Sequence, residues 1–124
     1  MEGAGTAAKR TAGQTLATIT DGLVSLHTRY YGKGPVEARS HQVGDQAIVC
    51  FLRIGFTKVE QTLIEAGRAE TVRHLRCTFQ EEMGDEFKGI VEGATGRAVE
   101  AYLTQVSVEP PLVTEVFMLE SPSA

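Results

Sequence analysis

The sequence predicts an α+β fold: a four-stranded, mainly antiparallel sheet with helices packed on it, in the order helix, strand, strand, helix, helix, strand, strand. Three observations lead there. Apolar residues recur at spacings of three and four from Leu16 to Tyr30, and again from Val72 to Val91, as on helices with one buried face. Short β-branched runs flank Gly44-Asp45 and Pro110-Pro111, the composition of strands joined by tight turns. At 124 residues, 42% hydrophobic and 23% charged, the chain suits one globular domain that needs no disulfide or metal staple. That domain is expected over residues 6–120, with flexible ends at 1–5 and 121–124.

The first helix is expected from about Thr6 to Tyr31. Leu16, Ile19, Leu23, Leu26 and Tyr30 fall on one stripe of it. Their spacing also suits a narrow a/d seam, so these five residues are the candidate interface of a homodimer. Gly13 and Gly22 each cost about 1 kcal/mol relative to alanine, so something must pack closely at these positions or offset the cost. Gly32, Gly34 and Pro35 stop the helix. A hairpin follows, from Val36 to Val43 and from Gln46 to Ile54. Its second strand, Ala47 to Leu52, is apolar on both faces, so helices should cover one face and a partner or another helix the other.

Thr57-Lys58-Val59-Glu60 has the form of a capping box and opens a helix expected to bury Val59 and Leu63 and to break at Gly67. One longer helix should then run to Thr95. Its stripe is Val72, Leu75, Phe79, Met83, Phe87, Ile90 and Val91, with Gly96 just beyond its end. Strands are expected over Ala98 to Glu109 and Leu112 to Glu120. In the last of these, Glu115 and Val116 look out of phase with the alternation.

Composition removes several functional classes. A net charge of −4 argues against nucleic-acid binding. Arg68, Arg73, His74 and Arg76 lie among Glu65, Glu70, Glu81 and Glu82, which describes a solvated helix face. Cys50 and Cys77 have no metal-ligand spacing and read as buried free thiols. The N-terminal residues lack the pattern of a signal peptide, and no apolar run approaches the roughly 20 residues of a membrane span. A cytoplasmic protein without direct membrane insertion is expected.

No catalytic motif stands out. Gly32-Lys33-Gly34 offers backbone N–H groups and one lysine, enough to attract phosphate, bicarbonate or a nucleotide, but without P-loop spacing. His27, His41 and His74 belong to different elements, so neither a metal nor another cofactor is predicted. Glu81, Glu82, Asp85 and Glu86 fit a solvated face better than an acid/base pair. No serine sits in a G-x-S-x-G elbow. A binding or accessory role is favoured over catalysis.

These features occur in a distinctive order. Tyr31-Gly32-Lys33-Gly34-Pro35 leads to the hairpin with Gly44-Asp45 at its turn, and Phe56-Thr57-Lys58-Val59-Glu60 follows, with Leu63 after it. Then come Gly67, Arg76, Thr95-Gly96 before Val99, and Val116-Phe117-Met118-Leu119. Over about residues 10 to 120 this order resembles the bacterial MpsC family of the Na⁺-translocating, membrane-potential-generating system, with Phe56 in place of the family's usual leucine and Gln61 in place of a basic residue. The resemblance implies a cytosolic protein associated with cation or inorganic-carbon transport, with a membrane transport protein as a partner. It brings no catalytic residues to carry over.

Overall fold

The computed structural model describes residues 11–122. The expected start of the first helix at Thr6 and the flexible stretch 1–5 lie outside them. Helix α1 (Ala12–Tyr31) opens on a Thr11–Gln14 capping box, a signal present in the sequence as T-x-x-Q. It ends at Gly32, whose positive φ and N–H bond to Thr28 O make the left-handed cap. Strands β1 (Glu37–Val43) and β2 (Ala47–Arg53) form the hairpin. Helices α2 (Lys58–Glu65), α3 (Ala69–Glu82) and α4 (Gly84–Thr95) follow, then β3 (Val99–Ser107) and β4 (Leu112–Leu119).

The sheet is antiparallel throughout, in the order β1-β2-β4-β3. The hairpin therefore pairs with the last strand of the chain, and the three helices inserted between them cross over one face. Helix α1 lies against β1 and α4, α3 and α4 against β3, and α2 against α3. Ile19, Leu23 and Leu26 join Phe87 and Val91, and meet Ile48, Leu52, Val113 and Phe117 from the sheet. At roughly 1.5–3 kcal/mol for each fully buried large apolar side chain, this single core dominates the favourable side of folding.

Several expectations about phase need correcting. The long helix breaks at Met83, which caps both α3 and α4, although Met83 N–H→Phe79 O and Phe87 N–H→Met83 O carry the hydrogen bonding across the joint. The buried stripe of α3 is Val72, Arg76 and Gln80, while Leu75 is exposed. In α2, Val59 is exposed and Glu60 is buried. In both helices a buried charge-bearing contact sets the rotation, and apolar residues beside it turn outward. Strand β4 alternates without interruption, so Glu115 lies in phase on the inner face.

Gly22 shows why α1 tolerates a glycine at its centre. A Cβ there would lie 2.7 Å from Ile90 Cγ2, so α1 and α4 meet at a distance only glycine allows. Ile90 is β-branched and stiff in a helix, so it yields poorly. Gly13 has no such neighbour beyond its own cap. Gly22→Ala is expected to destabilise the protein by roughly 1–2 kcal/mol despite the better helix propensity. Gly13→Ala should stabilise it by about 0.5–1 kcal/mol, with urea unfolding of the two variants as the measurement.

Candidate functional site

Between two apolar rows on the inner face of the sheet runs a polar one. The strand register aligns Ser40, Cys50, Glu115 and Thr104 across β1, β2, β4 and β3. The row above it is Ala38, Leu52, Val113 and Val106, and the row below holds Gln42, Ile48, Phe117 and Tyr102. Ser40 Oγ lies 3.2 Å from Cys50 Sγ and 2.7 Å from Thr20 Oγ1 of α1. Polar groups buried this deeply stay stable only when hydrogen-bonded.

Glu115 is 0% exposed. Its Oε1 lies 2.7 Å from Tyr102 Oη, which in turn lies 3.0 Å from Gln80 Oε1. Gln80 Nε2 is 2.7 Å from His27 Nε2, and His27 Nδ1 is 2.8 Å from Leu23 O. A continuous hydrogen-bonded chain thus joins β4, β3, α3 and α1 through the core. Two buried oxygens beside it, Glu115 Oε2 and Thr104 Oγ1, have no hydrogen-bond partner among the described residues. Burial lifts the Glu115 carboxyl from 4.5 to about 7, against the lowering effect of the Tyr102 hydrogen bond. Burial, reinforced by the nearby Glu115, also raises Tyr102, and it holds the Cys50 thiol neutral up to about 12. Burial lowers His27; the Leu23 carbonyl opposes that shift and the Arg76 charge adds to it.

His27 stacks on Phe87 at 5.2 Å, and its end of the chain meets a second polar cluster. Arg76, 2% exposed, donates from Nε to Glu60 Oε2 at 2.6 Å and from Nη2 to Glu60 Oε1 at 2.7 Å. This bidentate geometry is the strongest form of an ion pair. Nη2 also donates to Gly55 O at 3.3 Å, and the guanidinium sits 3.7 Å from the centre of the Tyr31 ring. Glu60 Oε1 accepts in addition from the Thr57 N–H, so the capping box and the ion pair share one carboxylate. Burial alone would raise that carboxyl, but the hydrogen bonds from Arg76 and Thr57 hold it below the usual carboxylate range.

The predicted anion-binding turn borders this cluster. His27, Tyr31, Lys33, Gly34, Gly55 and Arg76 line a cleft of about 10 Å³, room for one water-sized group. The Gly32 N–H is engaged in the helix cap, and a Cβ on Gly34 would lie 2.5 Å from Thr28 Oγ1. Both glycines therefore have structural reasons to be there, and Lys33 is left as the exposed cation of the turn.

The expected dimer seam is placed differently. Ile19, Leu23 and Leu26 are buried inside the protomer, Leu16 packs on its core, and Tyr30 is half exposed against Phe79. Arg76, expected on a solvated face, is instead the centre of the ion pair. From the sequence His27 is weighed only as a metal ligand, Glu115 only as a break in alternation, and Gln80 not at all, although signals existed. His27 lies four residues after Leu23, Gln80 four after Arg76, and Glu115 alternates with Val113 and Phe117.

Among the described residues, no helix packs on the opposite face of the sheet. Its rows are Glu37, Arg53, Leu112, Ser107; then Arg39, Phe51, Thr114, Gln105; His41, Val49, Val116, Leu103; and Val43, Ala47, Met118, Ala101. Phe51 is 42% exposed, Val43 54% and Leu103 60%. The face is charged and polar at one end and, apart from His41, apolar across the last two rows.

Among the described residues no group of three or more His, Cys, Asp or Glu could hold a metal ion, and no helix is long and apolar enough to cross a membrane. A family model described as Na⁺-translocating membrane potential-generating system (MpsC) matches residues 11–121, and the chain belongs to that family. No curated protein and no solved structure matches it.

Glu115 and His27 act on stability in opposite directions. For Glu115 the folded carboxyl binds its proton more tightly than the unfolded one, so stability falls as pH rises from 4.5 to about 7, by about 3 kcal/mol in all. For His27 the folded ring resists protonation, so stability falls as pH drops below 6.5. Glu115→Gln keeps a donor toward Tyr102 and removes the charge. It is expected to stabilise the protein at pH 8 by a few kcal/mol and to leave it nearly unchanged at pH 4.5, measured by urea unfolding at both values.

Proposed function

We propose that the chain is a non-enzymatic, cytoplasmic accessory or regulatory subunit that works as a homodimer, with its contact surface on the open face of the sheet. The observation that carries this reading is that face itself. A doubly apolar β2 predicts cover on both sides, and the described helices cover only one. The open face replaces the α1 stripe in this reading, because Ile19, Leu23 and Leu26 are already buried within the protomer.

The pattern on the face suits a second copy of the same chain. A two-fold axis running along the strands would lay the apolar rows of one protomer over those of its partner. The same operation would bring the ends carrying Glu37, Arg39 and Arg53 together, where both signs are present and can pair. Aligned sheet packing of this kind leaves roughly 10 Å between the sheets, filled by interdigitating side chains. Family membership supports a further partner, a membrane protein of the Na⁺-translocating system.

A second reading keeps the Gly32-Lys33-Gly34 turn as a small-anion site. It is favoured by the convergence of Lys33, Arg76, His27 and Tyr31 on one cleft. The cleft is small, so an anion would enter only as Lys33 swings aside.

Light scattering at micromolar concentration is expected to give a mass twice the 13.4 kDa of the chain. Leu103→Arg should yield a folded monomer with unchanged circular dichroism; a monomeric parent protein would refute the dimer. For the anion reading, phosphate or bicarbonate should raise the melting temperature, and Lys33→Ala should abolish the rise.

A further inference from the structure

We propose that His27 and Glu115 hold a single proton between them, and that the Gln80 side-chain amide, by turning over, decides which of the two carries it. The inference follows from counting protons along the chain. Leu23 O can only accept, so His27 Nδ1 must donate to it. In the arrangement seen, Gln80 Nε2 donates to His27 Nε2, which is therefore unprotonated, and the histidine is neutral. Gln80 Oε1 then accepts from the one hydroxyl proton of Tyr102. That proton cannot also serve Glu115, and Tyr102 Oη lies 2.7 Å from Glu115 Oε1. The bond closes only if Glu115 is protonated and donates to the phenol oxygen. All donors then point one way, from β4 to α1.

A second arrangement satisfies the same four contacts, with the three between side chains reversed and His27 Nδ1 still donating to Leu23 O. The Glu115 O–H bond breaks and a His27 Nε2–H bond forms. The amide of Gln80 rotates, so that its oxygen accepts from His27 and its nitrogen donates to Tyr102. The Tyr102 hydroxyl turns toward the Glu115 carboxylate. The number of protons and the number of hydrogen bonds are unchanged, and only the positions of charge differ. An intermediate orientation leaves one acceptor facing another, so the chain has two settings rather than a continuum.

The surroundings fix which setting rests lower. Glu115 faces Tyr102 from β3 and the neutral Cys50 thiol from β2, with no cation among the groups that perturb it. His27 faces Arg76 from α3, whose charge opposes imidazolium, and the rings of Phe79 and Phe87 from α3 and α4. Both ends favour the uncharged form, so the proton rests on Glu115. Because the two settings hold the same number of protons, pH does not choose between them; a change of charge at the Arg76 cleft would, by easing or opposing imidazolium, and this couples the cleft to the central strands.

The test is a pH titration of the full chain by NMR, reading the side-chain carboxyl carbon of Glu115 and the ring nitrogens of His27. The expected parent result is a protonated Glu115 at pH 6 together with a neutral, Nδ1-protonated His27. Gln80→Leu touches neither group's own atoms but frees the Tyr102 hydroxyl to donate to Glu115. The Glu115 proton affinity should fall about tenfold. Tyr102→Phe frees the Gln80 oxygen for His27 and should raise the histidine midpoint by a similar factor. This second variant keeps the test decisive if the first does not fold. An Nε2-protonated neutral His27, an ionised Glu115 at pH 6, or midpoints at the far ends that do not move in these variants would overturn the proposal.

Discussion

The Arg76–Glu60 pair is the contact on which the arrangement of elements depends. It joins α3 to the first turn of α2, reaches the β2–α2 connection through Gly55, and places a cation on Tyr31 at the end of α1. Such a pair brings little net stability when compared with a well-packed apolar substitute. Its value is geometric. A bidentate guanidinium accepts one relative placement of its partners, and losing either charge leaves the other stranded in the core. Glu60 is also the capping residue of α2, so the start of that helix and the position of α3 cannot vary independently.

This pair also explains where sequence reasoning succeeded and where it did not. The capping box, the glycine stop after Tyr31, both hairpin turns and the succession of helices and strands along the chain were legible, because each depends on chemistry within a few residues. The rotation of α2 and α3 about their axes was not. Apolar periodicity would have turned Leu75 and Val59 inward, yet the helices turn Arg76 and Glu60 inward to meet each other. Each charge is acceptable in the core only because of a partner sixteen residues away, and no local pattern carries that information. Glu115 was misjudged for a related reason. A carboxylate breaks an apolar alternation only if it is charged, and burial beside Tyr102 favours its neutral form.

The polar row beneath the helices is a departure from what stability alone would select. Leu52 and Val113 flank it on one side, Ile48 and Phe117 on the other, and an apolar row between them would pack at least as well. Ser40, Cys50, Glu115 and Thr104 instead hold hydrogen-bonding groups in register across all four strands, with two oxygens left unpartnered among the described residues. Local choices that cost stability without local benefit tend to mark function. The row lies on the helix-facing side of the sheet, and the Glu115–Tyr102–Gln80–His27 chain connects it to the cleft that Lys33 borders.

The edges of the sheet bear on how far assembly can go. On β1 the outer edge is interrupted by Glu37 and Arg39 and preceded by Pro35, and β3 carries a register shift between Val99 and Ala101. Both are features that deter strand addition. Growth sideways, by extending the ladder from molecule to molecule, is therefore blocked at each end. Contact through the face, as proposed for two copies of the chain, has no such repeat, because each copy has one such face to offer. On that proposal, an apolar sheet face and protected sheet edges together describe an assembly that closes at two copies.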